Sequence, residues 1–121
     1  MKVNGREIHF MRTVQATCDI ADMCKDHNIE NAATLFEGSY QDSQKAAAQF
    51  LAIMSKGYED NKSFQEPGYE PHPLRPDEAM SLPEDVFSDL FVEAVHVYGG
   101  EKPTIEAQPV KGKKKAESKS S

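Results

Sequence analysis

One stretch constrains the fold of this chain more than any other, residues 82–98, Leu-Pro-Glu-Asp-Val-Phe-Ser-Asp-Leu-Phe-Val-Glu-Ala-Val-His-Val-Tyr. Val86, Phe87, Leu90, Phe91, Ala94, Val97 and Tyr98 recur at steps of three and four, which places them on one side of an α-helix. Ser81 and Glu84 have the spacing of a capping box, and Pro83 falls where the first turn needs no N–H donor. Glu84 and Asp85 put negative charge at the positive end of the helix dipole. Gly99 and Gly100 stop the helix, and Pro103 forbids a restart. Burying each large apolar side chain of the stripe is worth roughly 1.5–3 kcal/mol, so the helix must pack on something. The stripe either closes the core of a small domain or leaves part of itself open to hold a partner.

The chain of 121 residues fits one domain with a modest core. No stretch reaches the ~20 apolar residues that span a bilayer, and the first residues lead into no apolar signal region. A cytosolic location is therefore expected. On that expectation the glycosylation sequon at residues 61–63 is without meaning.

Charge divides the chain in two. Residues 1–101 carry eight Lys and Arg against eighteen Asp and Glu, while residues 102–121 carry six Lys against two Glu. An acidic body argues against a surface that grips phosphates, and hence against specific nucleic-acid binding. The basic tail, residues 101–121, is poor in apolar residues and rich in Lys, Ser and Pro, and is expected to be disordered. Residues 1–100 form the expected folded domain.

Along that domain, residues 2–10 read as a small hairpin. Asn4-Gly5 suits a type I′ turn, whose two positions both need positive φ. Val3, Ile8 and Phe10 are expected to lie on helices, because a two-stranded ribbon is not stable alone. Thr13 caps a helix running to about residue 26, with an apolar stripe of Val14, Thr17, Cys18, Ala21 and Cys24 widened by Ile20 and Met23. A short helix follows, capped by Asn28, with Ile29, Ala32, Ala33 and Phe36 before Gly38. Residues 39–56 form the next helix, with Ala47, Phe50, Leu51 and Met54 inward and Ala46 and Ile53 beside them. Either Gly57 terminates it or Tyr58 carries it one turn further. Residues 59–76 hold Pro67, Gly68, Pro71, Pro73 and Pro76 and read as a loop, mobile or functional, with Phe64 and Tyr69 pinning it. Residues 77–80 form one helical turn. The fold class expected is mainly α with a short N-terminal β-hairpin, a small bundle of three to four helices.

Little in the sequence points to chemistry. His9, His27, His72 and His96 share no metal-ligand spacing with each other or with the cysteines, so no metal is expected. No phosphate loop or nucleophile elbow is present, and no cofactor or catalytic residue is assigned. The acid pairs Asp77-Glu78 and Glu84-Asp85 sit at helix starts, where carboxylates are favoured in any case. Cys18 and Cys24 on one helix lie about 9 Å apart along its axis and point about 120° apart, too far to bridge. Both are expected to be reduced. The reading is a binding protein rather than an enzyme.

The order of features resembles the tail assembly chaperones of long-tailed bacteriophages. It consists of the hairpin start at residues 3–10, Thr13 opening a small-residue helix, and an alanine-rich helix ending Phe50-Leu51-Ala52-Ile53-Met54. A polar loop follows, and then Leu74-x-Pro-Asp-Glu-Ala-Met leads into the terminal amphipathic helix with its Gly-Gly stop. The resemblance covers about residues 1–100 and lies in layout, so it carries over no catalytic or binding residue. It implies a non-enzymatic holdase that binds the tape measure protein, keeps its helical segments from aggregating and helps tail tube subunits assemble around it. Such a protein works in the host cytoplasm and is absent from the finished virion. The family commonly makes a second, longer product by programmed frameshift. Lys113-Lys114-Lys115 is equally a trace of a slippery site or a plain solubilising tail.

Physical logic fits that implication. A groove between short helices accepts an apolar stripe on a partner helix, and methionines such as Met54 and Met80 let it adapt. The partner-binding surface is expected near Met54, Phe87, Phe91, Val95 and Tyr98, open to a partner or joining copies of the chain in a homo-oligomer. The alternative function is a small regulatory or adaptor protein associated with nucleic acid through the lysine tail.

Overall fold

The chain starts with a turn that two residues make possible. Asn4 and Gly5 both adopt positive φ, 51° and 84°, and so reverse β1 (Lys2–Val3) into β2 (Arg6–Glu7), pairing Lys2 with Glu7 and Val3 with Arg6. The computed structural model describes residues 2–100, and the expected basic tail at 101–121 lies outside the described residues. Val3, Ile8 and Phe10 turn inward and are buried, while His9 faces out against Tyr58. The described chain is mainly helical: α1 (Val14–Met23), a 3-10 turn (Lys25–His27), a 3-10 helix (Ile29–Phe36), α2 (Tyr40–Gln65), α3 (Pro76–Met80) and α4 (Glu84–Tyr98). No described helix is long and apolar enough to cross a membrane.

Helix α1 departs from the expected pattern. Thr13 caps it as read, its hydroxyl accepting from the Ala16 amide. The buried face, however, is Ala16, Ile20 and Cys24, an i, i+4, i+8 line, whereas Val14 is 84% exposed and Cys18 is exposed. The bulk of Ile20 selects the face, and the small residues around it do not. The helix also ends at Met23 rather than near residue 26. Cys24 turns extended, and Asp26 and His27 take left-handed φ of 59° and 52°. Residues 25–28 are all polar, so nothing there anchors a further turn to the core. The two thiols are free. Cys24 is buried, its Sγ donates to the Ile20 carbonyl, and burial pushes its pKa up.

Helix α2 is the spine; it starts where expected, with Ser39 as its cap, and runs to Gln65, past Gly57 and past the extra turn at Tyr58. Ala47, Phe50, Leu51 and Met54 are buried as read, with Ala46 and Ile53 half-buried beside them. Gly57 does not stop it. A β-carbon there would lie 2.4 Å from the Met11 carbonyl oxygen, so the glycine exists to let residues 11–13 cross the helix. The Met11 amide donates to the Met54 carbonyl at 3.1 Å in the same crossing. The stop is Glu66, extended at φ −122° and ψ 99° as a residue before proline must be.

The proline-rich loop is therefore shorter than residues 59–76, and it is clamped. Ser55 and Glu59, one turn apart on α2, are both buried. Ser55 Oγ accepts from the Leu74 amide at 2.9 Å, and Glu59 Oε1 accepts from the His72 amide at 3.0 Å and from the Tyr69 hydroxyl. That last bond pushes the Tyr69 pKa up to about 12. Arg6 spans from the hairpin to the His72 carbonyl and to Glu78 of α3, at 2.8 and 2.7 Å. Leu74 inserts into the core at 1% exposure. Phe64 does not pin the loop: it lies on α2 and is 90% exposed.

Helix α4 begins differently from the capping-box reading. Ser81 is in the helical region and its hydroxyl donates to the Glu78 carbonyl, finishing α3. Pro83 is itself the N-cap of α4, and Glu84 turns away to Tyr40. Asp85 accepts from the Val86 amide in the first turn. The Gly-Gly stop holds, with Gly100 at φ 82° and the amides of Gly99 and Gly100 closing on Val95 and Val97.

Candidate functional site

Two helix faces with the same spacing oppose each other. Tyr40, Ser43, Gln44 and Ala47 on α2 form an i, i+3, i+4, i+7 set, and Glu84, Phe87, Ser88 and Phe91 on α4 form another. Between them lies an open groove of about 640 Å³, completed by Phe36 from the 3-10 helix and by Met80 and Leu82 from the α3–α4 link. Each wall is about two helical turns, roughly 10 Å, long. Its volume falls within the roughly 300–1,000 Å³ of ordinary binding clefts.

The arrangement of aromatic rings explains why the groove stays open. Phe91 meets Phe36 edge-to-face with centroids 5.1 Å apart, and both lean on Phe50, at 5.8 and 5.7 Å. These contacts fix the inner side of the groove. Ala47, the α2 residue opposite, is too small to fill the space in front of them. Met80 lies at the mouth, 47% exposed, with a flexible thioether that can fit differing occupants. One contact ties the walls together: the Tyr40 hydroxyl donates to Glu84 Oε2, and this bond raises the Tyr40 pKa. Tyr40 is itself 63% exposed.

The residues expected to form a partner surface are dispersed by the structure. Phe87 and Phe91 are in the groove. Met54 is fully buried, contrary to the expectation of an open methionine, because α2 turns it into the core under the residue 11 crossing. Tyr98 lies near the other end of α4, packed edge-on to Phe50 at 5.6 Å and covered by the Arg12 guanidinium 4.0 Å above its ring. Arg12 also donates to the Tyr98 carbonyl at 2.8 Å. Val95 is 38% exposed but does not line the groove. Met80, named for its adaptability, does line it. Phe36, Tyr40 and Leu82 line it as well, outside the expected partner-binding set. The signal that could have found the α2 wall is the 40/43/44/47 spacing. It is masked in sequence by two polar members and becomes visible only when α4 is placed opposite.

A second, smaller concavity of about 170 Å³ lies between the start of α1 and the far half of α2, where Ile53, Gly57 and the exposed Phe64 contribute. Among the described residues no group of His, Cys, Asp and Glu side chains is placed to hold a metal ion. The chain matches no protein-family model, no curated protein and no solved structure.

Proposed function

We propose that this chain is a non-enzymatic assembly chaperone that holds apolar helical segments of a partner, and that the partner is a phage tape measure protein. The observation that carries the reading is the open groove between α2 and α4, walled by two helix faces and lined by Phe36, Leu82, Phe87, Phe91 and the exposed Met80. An apolar cleft two turns long is the geometry of helix-in-groove recognition, which reads anchors at helical spacing. A tape measure protein is a long run of helix with apolar stripes, and a holdase of this kind covers those stripes until tube subunits replace it. The layout resemblance of residues 1–100 to tail assembly chaperones supports the same partner. On this reading the protein acts in the host cytoplasm, is absent from the finished virion and can meet tail tube protein during hand-over.

Co-expression tests it. The wild-type chain should keep the tape measure protein of the same phage in the soluble fraction and co-purify with it. Met80→Asp places a charge at the mouth of the groove without removing a core side chain, and desolvating that charge opposes binding. The variant should fold, by circular dichroism and melting, and lose co-purification. A folded Met80→Asp that still retains the tape measure protein would refute the groove as its binding site.

A further inference from the structure

The lining of the groove is mostly apolar, and its one charged side chain, Glu84, is acidic. Glu37 and Asp85, each next in the chain to a lining residue, are exposed beside it and no basic residue lines it, while Asp42, Lys45 and Asp89 fall on the far faces of α2 and α4. We infer that the groove selects, within the class of partner proposed above, an amphipathic helix whose apolar stripe is flanked by Lys and Arg. This rests on the proposed reading of the groove and adds the charge of its occupant. Helical occupancy follows from the walls, since two i, i+3, i+4, i+7 faces match a third helix laid along them. The charge follows from complementarity. Acidic side chains outside an apolar cleft steer basic flanks toward it and reject acidic ones, and this sets specificity more than raw affinity. An anionic lipid surface is disfavoured by the same field.

Two probes decide it, both helical peptides of about 20 residues, long enough to hold a helix. They share one leucine stripe at i, i+3, i+4 and i+7 and differ only in flanks, Lys in one and Glu in the other. Titrated into the full chain at low salt, the Lys-flanked peptide should bind about tenfold more tightly, the combined effect of several exposed charge pairs. The ratio should shrink as salt is raised. Met80→Asp should abolish binding of both. Glu37→Lys with Asp85→Asn, two exposed positions beside the groove, should bring the two affinities within about threefold. Equal affinity of the two peptides for the wild-type chain would overturn the inference and leave the groove reading standing. Absence of any Met80-sensitive binding would overturn both.

Other occupants give distinct results. If the Lys-flanked peptide binds only when Lys113, Lys114 and Lys115 are changed to Gln in the full chain, the chain's own tail fills the groove and the inference fails. It fails equally if copies of the chain self-associate through the groove, seen as a concentration-dependent dimer that Met80→Asp dissolves.

Discussion

Gly57 shows how one side chain, by being absent, decides where others go. In a helix interior glycine costs about 1 kcal/mol relative to alanine, so Gly57→Ala in an otherwise open helix would stabilise. Here a β-carbon would meet the Met11 carbonyl oxygen at 2.4 Å and Thr13 Oγ1 at 3.2 Å. The first of these is backbone and cannot swing aside. The crossing of residues 11–13 must then shift, taking with it the Met11–Met54 hydrogen bond and the Thr13 cap of α1. Overpacking of this kind costs about 1–3 kcal/mol, which exceeds the propensity gain. Gly57→Ala is therefore expected to lower the melting temperature, read by thermal denaturation, and a rise would show that the crossing yields freely. From sequence alone the same glycine has the look of a helix stop. The chain segment that needs it is more than forty residues away.

The elements differ in how far the sequence foretells them, and the differences have physical reasons. The end of α4, the type I′ turn and the inward face of α2 were legible, because each is specified by residues adjacent in the chain. The clamp on the proline-rich loop and the start of α4 are not, because each depends on a partner in another element, and the end of α2 is obscured because Gly57, needed by the crossing of residues 11–13, resembles a stop before the true one at Glu66. Glu59 is an ordinary helix-surface carboxylate until the His72 amide and Tyr69 hydroxyl arrive. Ser81 cannot cap α4 because it is finishing α3. On α1 the expected stripe holds at Ile20 and Cys24 and fails at Val14 and Cys18, since the small residues carry too weak a pattern to choose a face. That correction is testable. Ile20→Ala removes a fully buried side chain and should cost about 2–5 kcal/mol in denaturant unfolding. Val14→Ser, at an exposed site that the sequence pattern placed in the core stripe, should change stability by no more than about 0.5 kcal/mol. Comparable losses at the two positions would restore the original stripe.

Among the described residues, the core joins hairpin, α1, α2, α3 and α4 around Leu51 and Met54 and leaves a wide gap between α2 and α4. The strong stripe of α4 divides along its length. Leu90 and Ala94 are fully buried, Tyr98 is capped by Arg12, and Phe87 and Phe91 are left half-covered on the groove. One element thus both closes the core and leaves part of its apolar face open. Part of the candidate site is legible: Phe87 and Phe91 as apolar residues in excess of what short neighbours can cover, and Met80 as an adaptable methionine. The α2 wall was not, since its contribution is a shape made by Ala47 and two polar residues. The central question is where a bound helix lies. Backbone hydrogen exchange of the full chain, with and without a helical segment of the tape measure protein, locates it directly. A helix held in the groove slows exchange in residues 36–47 and 80–91, with residues 13–19 and 60–64 around the smaller concavity unchanged. Protection confined to residues 13–19 and 60–64, with the groove unaffected, would contradict it.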